Sequence, residues 1–156
     1  MSEKLTHINA DGNAHMVDIS DRPVTERVAS ASGKVLLSEE VLSLIANGAT
    51  PKGDVIATAR VAGIMGAKKT SELIPLCHPI AISSVNVELA IVSDGVEISS
   101  TVKINDRTGV EMEALTAVSI TALTIIDMVK ALDPSATITN VRVDEKDGGR
   151  NGHWKR

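Results

Sequence analysis

A chain of 156 residues with 43% hydrophobic and 23% charged side chains is long enough for one compact domain with a core and too short for two. Phe and Tyr are absent, Trp154 stands alone and the formal charge is -4, so the chain offers neither the stacking surface nor the global attraction that nucleic-acid binding requires. The single Cys77 excludes an internal disulfide and a multi-cysteine zinc site, and the opening MSEKLTHINADG lacks the apolar stretch of a secretion signal, so a reducing cytoplasm without a protein-bound metal is expected.

In chain order, HMVDIS (15–20) reads as a short edge strand, after an N-terminal appendage expected to be flexible over about 1–14. VTERVASASGKVLL, rich in Val, Ser and Thr, reads as a longer extended segment. Ser38 then has the chemistry of an N-cap, Val41, Leu42, Leu44 and Ile45 recur at helical spacing, and Gly48 provides a left-handed stop. A second helix is predicted over about 54–69, where Ala59, Ala62, Gly63, Gly66 and Ala67 make a small-residue surface suited to close packing.

Val85, Val87, Leu89 and Ile91 alternate, SDG turns the chain, and Val96, Ile98, Val102 and Ile104 answer, which predicts a β-hairpin. Thr108 and Glu111 have the spacing of a capping box, and no Gly or Pro follows until Pro134, so a helix is predicted over about 109–132. TITNVRVDE is a last strand, and KDGGRNGHWKR a flexible tail from about 146. The order βαββαβ predicts a single α+β domain over 1–156: a ferredoxin-like sandwich, its antiparallel sheet covered by helices on one face.

Glu111, Glu113, Asp127 and Lys130 interrupt the apolar run from Val110 to Leu132, which makes it a poor membrane span. Apolar side chains surround nearly all of this helix except a seam of Thr116, Ser119, Thr124, Asp127 and Lys130. One sheet cannot bury that much surface, so a subunit contact is expected, with a polar site in or beside it. Asp127 and Lys130 are three residues apart. They are either an ordinary ion pair on a solvated face or, in partly dry surroundings, an acid/base pair with pKa values moved toward neutrality.

Glu113 lies 14 residues before Asp127, about 21 Å along a helix at ~1.5 Å per residue. Either it is only a favourable charge in the first turn, or a site draws the two carboxylates from two subunits. In LIPLCHPI two prolines fix an extended loop that presents Leu76, Cys77 and His78, although a structural histidine and a buried small cysteine are the commoner uses. Lys52 sits just before a helix N-terminus, where anions are attracted, or is simply a solvated lysine. Lys146, Gly148, Gly149 and Arg150 have the makings of a phosphate clamp, but no helix follows as a P-loop requires.

THINADGNAHMVDIS, KGDVIATARVAGIMGAKKTSELIPLCHP, TGVEMEALTAVSITALTIIDMVK and KDGGRNG together resemble the MoaC family of molybdenum-cofactor biosynthesis across almost the whole chain. The resemblance implies a lyase that converts 3′,8-cyclo-7,8-dihydroguanosine 5′-triphosphate into cyclic pyranopterin monophosphate and diphosphate, with no cofactor. It implies Asp127, Lys130 and Lys52 as catalytic residues, and Leu76, Cys77, His78, Met112, Glu113 and Lys146 as substrate-binding ones. It also implies a homohexamer, a trimer of dimers with active sites at the dimer interfaces.

Two departures stand out from the family pattern. The usual tail resembles KSGGKSG, whereas this chain has Arg150 in place of the second lysine; a guanidinium binds phosphate but does not donate protons near neutral pH. TIIDM replaces the commoner TIYDM, which removes a phenol beside Asp127. A small-molecule-binding regulatory module on the same fold is the competing class; diphosphate release from the cyclised nucleotide separates the two, and an assembly subunit comes third.

Overall fold

The computed structural model describes residues 7–156. The chain runs β1 (Thr25–Leu36), α1 (Glu39–Ala46), α2 (Val55–Lys68), α3 (Thr70–Leu73), β2 (Ser84–Val92), β3 (Gly95–Asp106), α4 (Glu111–Val129), β4 (Thr137–Asp147) and β5 (Trp154–Lys155). Its five strands form one antiparallel sheet in the order β2-β3-β1-β4-β5.

Alternation sets the two faces of that sheet. On β1, Ala29, Ala31 and Val35 are buried; on β3, the buried positions are Val96, Ile98, Ser100, Val102 and Ile104. Register brings Ala29 opposite Val102 and Val35 opposite Val96, so both sets face the same side. Ser30, Thr101, Ser99 and Lys103 alternate with them onto the open face, where Ser30 and Thr101 share a 3.1 Å hydrogen bond between their hydroxyls.

The covered face receives α4. Ala114, Ala117, Val118, Ala122, Ile125 and Val129 are wholly buried, making it the central core helix despite being long and apolar enough to cross a membrane. Much of the apolar surface beyond the sheet's reach is taken by α2, so part of what a subunit contact was expected to cover is covered within the chain. A Cβ on Gly63 would collide with Thr121 Oγ1, and one on Gly66 would meet Ile120 Cγ1 at 2.7 Å. The small-residue surface of α2 therefore lets the two backbones approach. Even so, Val61, Met65, Leu73 and Leu123 remain more than half exposed.

Ser38 caps α1 as expected, accepting from Val41 N, with Gly48 left-handed beyond its end. Asp54 caps α2, accepting from Ala57 N at 2.9 Å. The capping box does not form. The N-cap of α4 is Val110, with no side-chain cap, and Glu111 is drawn instead toward Lys146 on β4, 3.5 Å away. The helix starts at 111 and ends at 129, two to three residues inside the predicted span at either end.

HMVDIS is not a strand. The outer strands of the sheet are β2 and β5, and this segment is docked by a side chain, His78 Nε2 lying 2.7 Å from Val17 O. The N-terminal appendage expected over about 1–14 lies partly outside the described residues; within them, Ile8 and Ala14 form an isolated bridge around a turn held by Asn9. The tail folds back as a hairpin, pairing Lys146 with Trp154 and Glu145 with Lys155, and Arg156 lies over the Trp154 ring. Gly148, Gly149 and Gly152 supply the positive φ values of its turn.

Candidate active site

Two clusters of functional side chains form at opposite ends of α4. At its N-terminal end, the loop after α3 is tightened by Cys77 N donating to Ile74 O and leads through Cys77 and His78 toward β2. It closes over the first turn of α4. Together they line a cavity of about 420 Å³ whose walls include Leu76, Cys77, His78, Met112 and Glu113. Five of the six predicted substrate-binding residues therefore share one cavity. The sixth, Lys146, lines an adjoining cavity that has Gly109, Glu111 and Arg150 in common with the first.

Glu113 is 4% exposed. Burial raises its pKa from the ordinary 4.5 to about 7, the charge of Glu111 pushes the same way, and a backbone hydrogen bond opposes both. It is thus a buried carboxyl able to hold or release a proton near neutrality, more than a favourable charge at a helix terminus. The Cys77 thiol is pushed up by burial and then by the Glu113 charge, which disfavours a nucleophilic thiolate. Because the Val17 carbonyl can only accept, His78 carries a hydrogen on Nε2.

At the far end of α4, Asp127 receives Lys130 Nζ at 2.7 Å on Oδ1 and Lys52 Nζ at 3.2 Å on Oδ2. Lys52 also donates to the Asp127 main-chain carbonyl at 2.9 Å, placing a cation at the negative end of the helix. Both predicted catalytic lysines therefore contact the predicted Asp127. Of the two alternatives, the surroundings in this chain are the solvated one: the side chains of Lys52, Asp127 and Lys130 are 50%, 58% and 61% exposed. Hydrogen bonds from Lys130 and then Lys52 hold the Asp127 carboxyl below the usual carboxylate range rather than near neutrality. Solvent on one side and two ammonium donors on the other both favour the anion.

Sequence reasoning missed Arg22 and Arg27. Arg22 lines the cavity that holds Cys77 and Glu113, and Arg27 lines the neighbouring one that holds Lys146. A signal existed for Arg27: it occupies an inward position of β1, two residues before Ala29 and four before Ala31, where an alternating strand should carry an apolar side chain.

A buried carboxyl raised to about 7 in one cavity, with a carboxylate held by two lysines elsewhere on the same helix, makes this an α+β protein with groups able to exchange protons. Residues 16–149 match the MoaC family, and the chain belongs to it. It is 61% identical over 153 residues to the cyclic pyranopterin monophosphate synthase of Streptomyces griseus subsp. griseus, covering 98% of this chain and 86% of that protein. The synthase of Streptomyces avermitilis is 60% identical over 154 residues, 99% of this chain and 91% of that protein. That of Dinoroseobacter shibae is 57% identical over 153 residues, 97% of each.

Proposed function

We propose that this chain is the lyase of molybdenum-cofactor biosynthesis that converts 3′,8-cyclo-7,8-dihydroguanosine 5′-triphosphate into cyclic pyranopterin monophosphate and diphosphate. The observation that carries the reading is near-full-length identity of about 60% to synthases of that name, over a span that includes every residue of both clusters. The rearrangement opens one ring, builds another and closes a cyclic phosphate, so it needs several proton transfers on a polyanion.

Glu113, at about 7, can exchange protons inside the cavity, while Cys77 and His78 shape it and orient the substrate. Asp127, Lys130 and Lys52 supply a carboxylate base and two ammonium acids. Within one chain they cannot act on the molecule held by Glu113, since ~14 residues of helix separate Asp127 from Glu113 by about 21 Å. The complete site therefore joins the Glu113 end of one copy to the Asp127 end of another, in a homohexamer built as a trimer of dimers. The exposed Val61, Met65, Leu73 and Leu123 support association, because each such side chain buried contributes roughly 1.5–3 kcal/mol.

The chain is read as one catalytic domain of ferredoxin-like topology. Supporting this are the strand order β2-β3-β1-β4 and the sequence β1, helices, β2, β3, α4, β4, with β5 an addition at the edge. A free Cys77 suits a reducing cytoplasm. Incubation with the cyclised nucleotide triphosphate tests the activity: the proposal requires stoichiometric diphosphate and cyclic pyranopterin monophosphate, and tight binding without either product would leave a regulatory module as the better reading.

A further inference from the structure

The Asp127 cluster is open to water, so its geometry has to be set by the backbone that carries each side chain. For Asp127 and Lys130 that support is α4, whose last turn fixes the lysine through its own amide, donating to Ile126 O at 2.8 Å. Lys52 has no helix beneath it. It lies in the connection between α1 and α2, before Asp54, the N-cap of α2, and its ammonium still reaches two oxygens of Asp127 on another element.

A turn closed twice takes the place of that helix. Gly53 N donates to Thr50 O at 3.1 Å, which makes Thr50, Pro51, Lys52 and Gly53 one tight turn with the proline at its second position and Lys52 at its third. Thr50 Oγ1 donates in turn to Gly53 O, so both polar groups of the Gly53 backbone are engaged by one residue. Pro51 restricts its own φ, and Gly53 supplies a φ of 90° with nothing within 4 Å of where a Cβ would stand. Backbone conformation, rather than close packing, therefore calls for the glycine. The turn is also tied at both ends: Ala49 N donates to Leu44 O at 2.9 Å beside α1, and Asp54 accepts from Ala57 N at 2.9 Å in α2. Its anchor is inside and its cation outside, since Thr50 is 7% exposed and the Lys52 side chain 50%.

The Thr50 hydroxyl makes no other hydrogen bond among the described residues, and neither helix depends on it for a cap. We infer that Thr50 is a positioning residue for the reaction: its hydroxyl locks the turn that aims Lys52 at Asp127. A lysine side chain is long and freely rotating, so its ammonium stays on the carboxylate only where its Cα is held at a fixed distance from α4. Without the hydroxyl, Gly53 O loses its donor and the turn opens around Lys52. The lysine then leaves Asp127 for part of the time, while the cavity at the Glu113 end of α4 is untouched. Loss therefore falls on the chemical step rather than on substrate capture. The inference rests on the activity proposed above, and it gives Thr50 its effect through Lys52 alone.

Three variants separate the lock from general stability. Thr50→Val removes the hydroxyl and keeps the branched shape, Thr50→Ser keeps the hydroxyl, and Gly53→Ala strains the same turn through φ with no packing clash. Diphosphate release gives kcat and KM. Brief acetylation of the intact protein with acetic anhydride, mapped by mass spectrometry, gives the accessibility of the Lys52 amine relative to that of Lys155. Thr50→Val and Gly53→Ala should each lower kcat roughly tenfold and leave KM within about twofold. Both should raise relative Lys52 labelling at least about threefold, and Thr50→Ser should stay near wild type in every readout. Wild-type kcat in Thr50→Val, a loss that Thr50→Ser shares equally, or a loss carried by KM alone would overturn the positioning role and leave the synthase reading intact. A wild-type protein that releases no diphosphate would overturn the synthase reading, and the labelling then tests the lock by itself. Increased Lys52 labelling in Thr50→Val, reversed in Thr50→Ser, would support it; unchanged labelling would overturn it.

Discussion

At the scale of single residues, two carboxyl groups on one helix are driven in opposite directions. Asp127, between two ammonium groups and open to water, stays anionic; Glu113, buried, is poised near 7. A raised pKa in the folded state means that the stabilising contribution of Glu113 is full below its ordinary 4.5 and is lost as pH rises through about 7. Glu113→Gln removes that dependence. Urea midpoints at one fixed protein concentration should show the variant gaining on wild type between pH 5 and pH 8; an equal difference at both values would contradict a buried, titrating Glu113. Asp127→Asn should keep the fold and cost on the order of 10²–10⁴-fold in diphosphate release, as expected for losing a positioned acid or base. Near-wild-type turnover at saturating substrate would reduce Asp127 to a partner in a surface ion pair. That Asp127, Lys130 and Lys52 belong together was half legible: three-residue spacing on a helix predicts the first pair, but nothing local to PKGD says that its lysine reaches the far end of α4. Their exposure was only one of two readings the spacing left open, because the apolar neighbours in sequence lie on the other sides of the helix.

At the scale of elements, packing between α2 and α4 decides the height of the helical layer. Gly63 faces Thr121 and Gly66 faces Ile120 so closely that any side chain must push the helices apart. Gly63→Val should therefore cost at least the ~1–3 kcal/mol of an overpacked core, measured by chemical denaturation, and should loosen the Asp127 cluster because Lys52 precedes α2 directly. An unchanged midpoint would mean that the helices are not seated this way. The small-residue stripe, the SDG hairpin, the Ser38 cap and the alternation of β2 and β3 were all readable, since each depends on neighbours in sequence. The failures depended on distant ones. Glu111 had a capping partner in Thr108 but sits beside Lys146 from β4 instead, and HMVDIS is held by His78 rather than by a strand.

At the scale of the whole molecule, about 21 Å of helix separates Glu113 from Asp127 within one chain, and the proposed shared site therefore requires assembly. The most direct test mixes two inactive variants. Asp127→Asn and Glu113→Gln each spoil both sites of a symmetric dimer when alone, but a dimer with one chain of each contains one site with both wild-type residues. Co-expressed and freely assorted, the two should regain roughly a quarter of wild-type diphosphate release, since half the dimers are mixed and each carries one intact site. Mixed oligomers verified by native mass spectrometry that remain as inactive as either parent would contradict a site shared between copies.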